Sequence, residues 1–217
     1  MSFKPEVPTY TANQLEHMAA DLLKSRLKVP IEIPVDIDYL LEQEPGIRLD
    51  YIPGIKDRFG IAGLVYRENK DRFRVIIDAE IADSVRHQNF YRFTVAEELG
   101  HIKLHRKIIE QIPDEETAIE LHQHTEYEAM DRNAKRFAAA ILMPSKYVLQ
   151  DARELYPDLV RVAGFENREA VRDFMASILS KKYQVSVEAM SYRLNEWPIR
   201  VFEKIDLAMR ERLEFLD

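Results

Sequence analysis

After Asp78 the sequence offers no further strand pattern, and this limits more than any other feature the folds open to it. Before that point three short runs read as strands: Ile47 to Ile52, Ile61 to Tyr66, and Arg72 to Asp78, where Phe73, Val75 and Ile77 alternate with Arg74, Ile76 and Asp78. The RENKD stretch between the second and third reads as a hairpin connection. Beyond Asp78 apolar residues recur at helical spacing. The periodicity predicts helices over Thr94 to Ile109, over Glu126 to Met143 with a stop at Pro144, and over Glu166 to Lys182 with Asn167 able to cap the start. The QVSVEAMSYRLNEW segment begins as a turn at Gln184 and continues as a short helix whose buried side is Val187, Met190 and Leu194. Upstream, Thr11 caps an amphipathic helix carrying Leu15, Met18, Ala19, Leu22 and Leu23, and a short helix starts near Asp36 and closes before Pro45-Gly46. The expected class is α+β, with a small, mostly antiparallel sheet and a helical C-terminal part.

A chain of 217 residues suits a domain of about 130 to 150 residues with a smaller appendage. The boundaries expected are 11–150 for the main domain and 151–217 for the appendage, which resembles a helix-turn-helix around 166–195. With 46% hydrophobic and 32% charged residues there is a core to bury. No apolar run approaches the roughly 18 residues that span a bilayer, and the first residues lack a signal-peptide core, so a cytoplasmic protein with no membrane partner is expected. The absence of cysteine removes disulfides and thiolate chemistry, leaving histidine and carboxylates as metal ligands. A formal charge of -7 argues against charge-driven nucleic-acid binding and leaves room only for a local basic face.

The chemistry concentrates in FTVAEELGHIKLH, residues 93–105. Helical residues four apart share a face, so Glu97 and His101 converge while Glu98 lies beside them. In that arrangement a helix gives two metal ligands and a neighbouring carboxylate acts on metal-bound water. The same spacing also occurs as an ordinary surface pair. Gly100 adds weight, because a mid-helix glycine costs about 1 kcal/mol against alanine and marks close packing by a neighbour. His105 repeats the four-residue spacing from His101. Glu97, His101 and His105 cannot all bind one ion, since eight residues span about 12 Å of helix and ligand bonds are about 2 Å. A third ligand must come from elsewhere, and the obvious source is the helix over 126–143, where Asp131 and Asn133 flank the apolar stripe of Met130, Ala134, Phe137, Ala138 and Ile141. Periodicity does not choose between them, although an aspartate is the better zinc donor.

At these helices the chain resembles the ImmA/IrrE family of zincin-like metallopeptidases. The similar pieces are YRFTVAEELGHIKLH, where the family has Arg-x-Phe-Thr-x-Ala-His-Glu-x-Gly-His, then NAKRFAAAILMP, and YQVSVEAMSYRL near the end. They cover the chain from about 11 to 195 in the family's order. The resemblance implies a zincin-like core with two motif-bearing helices, and a zinc held by two histidines of the first helix and a glutamate of the second. By position Glu98 matches the general base and His101 the second histidine. Glu97 stands for the first histidine, giving EExxH for HExxH, and Asn133 stands for the glutamate. A cofactor Zn2+, or another divalent metal, would then be held by Glu97, His101 and an oxygen of Asp131 or Asn133, with His105 as an alternative ligand.

Two functions follow as expectations. One is a metal-dependent endopeptidase that acts on a regulatory, repressor-type DNA-binding protein. The other is a catalytically inactive peptidase-fold regulator that binds a protein partner without cleaving it. If no metal is present, the clustered carboxylates need relief, by protonation or by a pair with imidazolium. His122 and His124 read as solvated loop residues, and Trp197-Pro198 as core and stop signal. The C-terminal pair with Lys181, Lys182 and Arg193 reads as packing rather than a DNA reader. No nucleophile-elbow pattern supports a serine hydrolase.

Overall fold

The computed structural model describes residues 5–212. It divides into two compact units, one of described residues up to Ile31 with Asp36–Ile141, the other of Glu32–Val35 with the described residues from Leu142 onward.

The first unit is built on three strands. Strand β1 (Ile47–Ile52) and strand β2 (Gly63–Asn69) flank strand β3 (Arg72–Asp78), in the order β1-β3-β2. The β2-β3 hairpin is antiparallel, with Val65 opposite Val75, while β1 runs parallel to β3 with Leu49 opposite Val75. The sheet is therefore mixed. Its central strand buries Phe73, Val75, Ile76 and Ile77 and also Asp78, so the alternation seen in the sequence is broken toward its end. Asp78 is buried because its carboxylate has work on both sides. It accepts from Glu80 N to cap α4 (Ala79–Ala82) and from Lys56 N in α3 (Ile55–Phe59).

Helix α1 (Ala12–Arg26) starts at a capping box in which Thr11 and Gln14 serve each other's backbone N–H groups. Helix α2 (Ile37–Glu42) is capped by Asp36, which accepts from Tyr39 N at 3.0 Å. Helix α5 (Gln88–Ile109) packs on β2 and β3, and it begins six residues earlier than its periodicity suggests. Its backbone leaves helical geometry at His105 (φ -122°, ψ 21°). Near that kink the Tyr10 hydroxyl donates to the Leu104 carbonyl at 2.9 Å. Helix α6 (Glu115–Leu121) packs on β2, and helix α7 (Tyr127–Leu142) follows it.

The second unit is helical: α8 (Ser145–Ala163), α9 (Arg168–Tyr183), α10 (Val187–Asn195) and α11 (Val201–Glu211). Asn167 caps α9 by accepting from Ala170 N, as its position predicts. Helix α9 packs against all three others and buries Val171, Met175, Ala176, Leu179 and Tyr183. Asp151 sits under it, accepting from Lys182 Nζ at 2.6 Å and Tyr183 Oη at 2.8 Å. Met190 and Leu194 of α10 are buried as expected, whereas Val187 is half exposed, because it opens the helix at the surface. Trp197 is also half exposed rather than core, its ring lying 5.0 Å from the Arg200 guanidinium. Arg193 is buried and donates to the Met143 carbonyl at 3.0 Å, a structural role.

Candidate functional site

The site lies in the first unit and begins with two close approaches made at glycines. A Cβ on Gly100 would lie 3.0 Å from the Ala134 carbonyl oxygen and 3.2 Å from its Cα, so α5 and α7 meet backbone against backbone. A Cβ on Gly63 would come within 2.7 Å of Thr94 Cγ2 and 2.8 Å of Glu98 Oε1, so the Glu98 carboxyl is pressed onto strand β2. The neighbour that Gly100 signals in the sequence is thus the α7 backbone, and this contact lets side chains of α7 reach those of α5.

Glu97 and Asp131 are hydrogen-bonded through their side chains, and the Lys135 ammonium lies 2.8 Å from Asp131 Oδ2. Glu97 and Asp131 are half-buried, while Glu98, His101 and His105 are buried. His101 turns its Nδ1 to His105 Nδ1 at 3.3 Å, and Tyr127 stacks on the His101 ring at 5.6 Å and 15°. On its other side Tyr127 meets the His122 ring at 4.0 Å, and His122 Nδ1 is 2.8 Å from the Ala118 carbonyl. His122 is therefore part of the site rather than a solvated loop residue, because α6 ends beside β2 and turns it inward. Asn133 is not drawn into the cluster; its amide donates to the Pro8 carbonyl at 3.2 Å. A cavity of about 10 Å³ is lined by Glu98, His101, His122 and Tyr127, with Val65 and Met130 among the apolar walls.

Burial governs the charges here. It pushes the Glu97 carboxyl up to about 8, with Lys135 opposing and Asp131 adding to the rise. Burial, then the nearby Glu97 and Asp131, raise Glu98 well above the usual carboxyl range. His101 is driven well below the usual imidazole range by burial and then by His105, His122 and Lys135, and burial lowers His105 to about 4. Lys135 goes the other way: burial pulls it down, but Asp131 and Glu97 outweigh that and hold its proton. Burial thus favours protonated carboxyls and neutral imidazoles in this cluster. Two neutral imidazoles share an Nδ1–Nδ1 contact only if one donates and the other accepts, and the accepting ring carries its proton on Nε2. Nε2 of both His101 and His105 is buried without a hydrogen-bond partner.

A zinc ion needs three protein donors converging at about 2 Å. Among the described residues, no three His, Asp or Glu side chains are grouped so as to hold a metal ion. Asp131 is joined to Glu97 and Lys135, Asn133 to Pro8, and His101 to His105. The model of the IrrE N-terminal-like domain, a peptidase M78 family, matches residues 68–195, more than half of the chain. The chain belongs to this family. In this IrrE N-terminal-like domain the match runs from the β2-β3 hairpin through α10 and includes both helices of the site. No curated protein matches the chain.

Gly63, His122, Tyr127 and Lys135 were not singled out by the sequence pattern as parts of the site. Lys135 had a signal, its four-residue spacing from Asp131. Gly63, His122 and Tyr127 had none, since they reach the site only through strand and helix packing.

Proposed function

We propose that this chain is a non-catalytic member of its peptidase-fold family, a regulator that binds a protein partner without cleaving it. The observation that carries the reading is the fate of Asp131. The oxygen best suited to complete a metal site is hydrogen-bonded to the Glu97 carboxyl and paired with the Lys135 ammonium, which competes with a metal ion for it. If this donor set holds no ion, Glu98 has no polarised water from which to take a proton. The partner proposed is a repressor-type DNA-binding protein, in keeping with what the resemblance implies.

The test is the metal content, by elemental mass spectrometry, of untagged protein purified without chelator, beside a Glu97→Ala/His101→Ala double variant. The expected result is no stoichiometric metal in either, including after incubation with zinc or manganese. Near-stoichiometric metal that vanishes in the double variant would overturn this reading and restore the endopeptidase.

A further inference from the structure

A second feature lies in the helical unit and is independent of the reading above. A cleft of about 470 Å³ opens between α9 and α11, and three arginines line it. Arg168 and Arg172 sit one turn apart on α9, and Phe202, Asp206 and Arg210 climb α11 at the same spacing, so the two ladders face one cleft. The Asn195 amide of α10 and the Leu207 side chain complete the walls.

The carboxylates of this cleft are already engaged. Asp206 pairs with Arg172, whose guanidinium also lies over the Phe202 ring at 5.4 Å, and Glu203 pairs with Arg200 at 3.2 Å. Arg168 makes no ion pair among the described residues, and Arg210 pairs only with its neighbour Glu211, both being exposed. Such an exposed pair is worth little. Among the described residues, two guanidinium groups are thus left to one cleft with no carboxylate lining it paired to them, in a chain whose formal charge is -7.

The geometry points to a binding site for a phosphate monoester carried on a small organic molecule. A guanidinium presents a rigid fork of donors that matches phosphate oxygens two at a time. A phosphate monoester at pH 7 carries about -1.5 to -2 charges, which suits Arg168 and the exposed, weakly paired Arg210 together, where a single carboxylate would leave one unmet. Asn195 can donate to or accept from the organic part, and Phe202 and Leu207 supply an apolar wall. The volume falls within the roughly 300 to 1,000 Å³ of small-molecule pockets.

The experiment is isothermal titration of the full chain at about 0.15 M salt with 5′-AMP, adenosine, inorganic phosphate and a short phosphoserine peptide. AMP is expected to bind at one site, more tightly than phosphate or the peptide, and adenosine not at all. Arg168→Ala and Arg210→Ala, both surface changes verified as folded by circular dichroism, are each expected to weaken AMP about tenfold or more. Adenosine or phosphate binding as tightly as AMP would overturn the proposal. So would tighter binding of the peptide, no heat with AMP, or variants that bind AMP like the parent chain.

Discussion

Glu98 is confined by a backbone rather than by a partner. With a Gly63 Cβ only 2.8 Å from Glu98 Oε1 and 2.7 Å from Thr94 Cγ2, Gly63→Ala forces the carboxyl or the strand to move. The expected loss is about 1 to 3 kcal/mol by urea unfolding. Glu98→Ala in the same chain should recover part of it, and full additivity of the two changes would show that they do not touch. Protonation gives a second prediction. The Glu97 carboxyl, raised from 4.5 to about 8, is faced by Glu98 of its own helix and by Tyr127, Asp131 and Lys135 of α7. Because the folded form holds this proton more tightly, its contribution to stability is full below about 4.5 and is lost as pH rises toward 8. The melting temperature of Glu97→Gln should therefore gain on the parent steadily between pH 5 and 8, and a constant offset would refute the shift. At this scale helical spacing grouped Glu97, Glu98 and His101 in the sequence, while Asp131 and Asn133 of the second helix stayed open as their neighbour. It could not show that Asp131 faces a lysine, nor that His101 leans on His105, because side-chain pairing depends on rotamers that spacing does not fix.

Helices α5 and α7 form the element on which the site depends, and Gly100 sets how closely they approach. Replacing a mid-helix glycine by alanine ordinarily gains about 1 kcal/mol. Here the added Cβ meets the Ala134 carbonyl oxygen at 3.0 Å and Cα at 3.2 Å, atoms of a helix backbone that cannot rotate away. Gly100→Ala is expected to lose stability despite the gain in helix propensity, and Gly100→Val to lose about 1 kcal/mol more, both measured by chemical unfolding. A stabilised Gly100→Ala would mean that the helices can separate freely. Element boundaries were legible where a cap marks them, as at Thr11, Asp36 and Asn167. They were obscure where none does. Helix α8 runs through Pro157, a residue that reads as a breaker, and the start of α5 at Gln88 has no side-chain cap.

At the scale of the whole chain, the class was legible because the change from strand to helix patterning is complete at Asp78. The parallel pairing of β1 was not, since strand order depends on contacts distant in sequence. No helix among the described residues is long and apolar enough to cross a membrane. Charge then bears on the α9-α10 pair, whose short turn resembles a DNA-binding helix pair. Nucleic-acid affinity requires basic side chains able to displace counterions from phosphates. Arg193 is buried on the Met143 carbonyl and Lys182 is tied to Asp151, while α10 exposes Val187, Glu188 and Tyr192. The face that would enter a groove is apolar and acidic. Fluorescence anisotropy with a labelled 20-base-pair duplex should show no binding at about 1 µM protein and physiological salt, where non-specific DNA binders have Kd values of roughly 10⁻⁴ to 10⁻⁶ M. Sub-micromolar binding that weakens steeply with added salt would mean that basic residues outside this face carry the contact. The chain would then contact DNA itself rather than act through a protein that does.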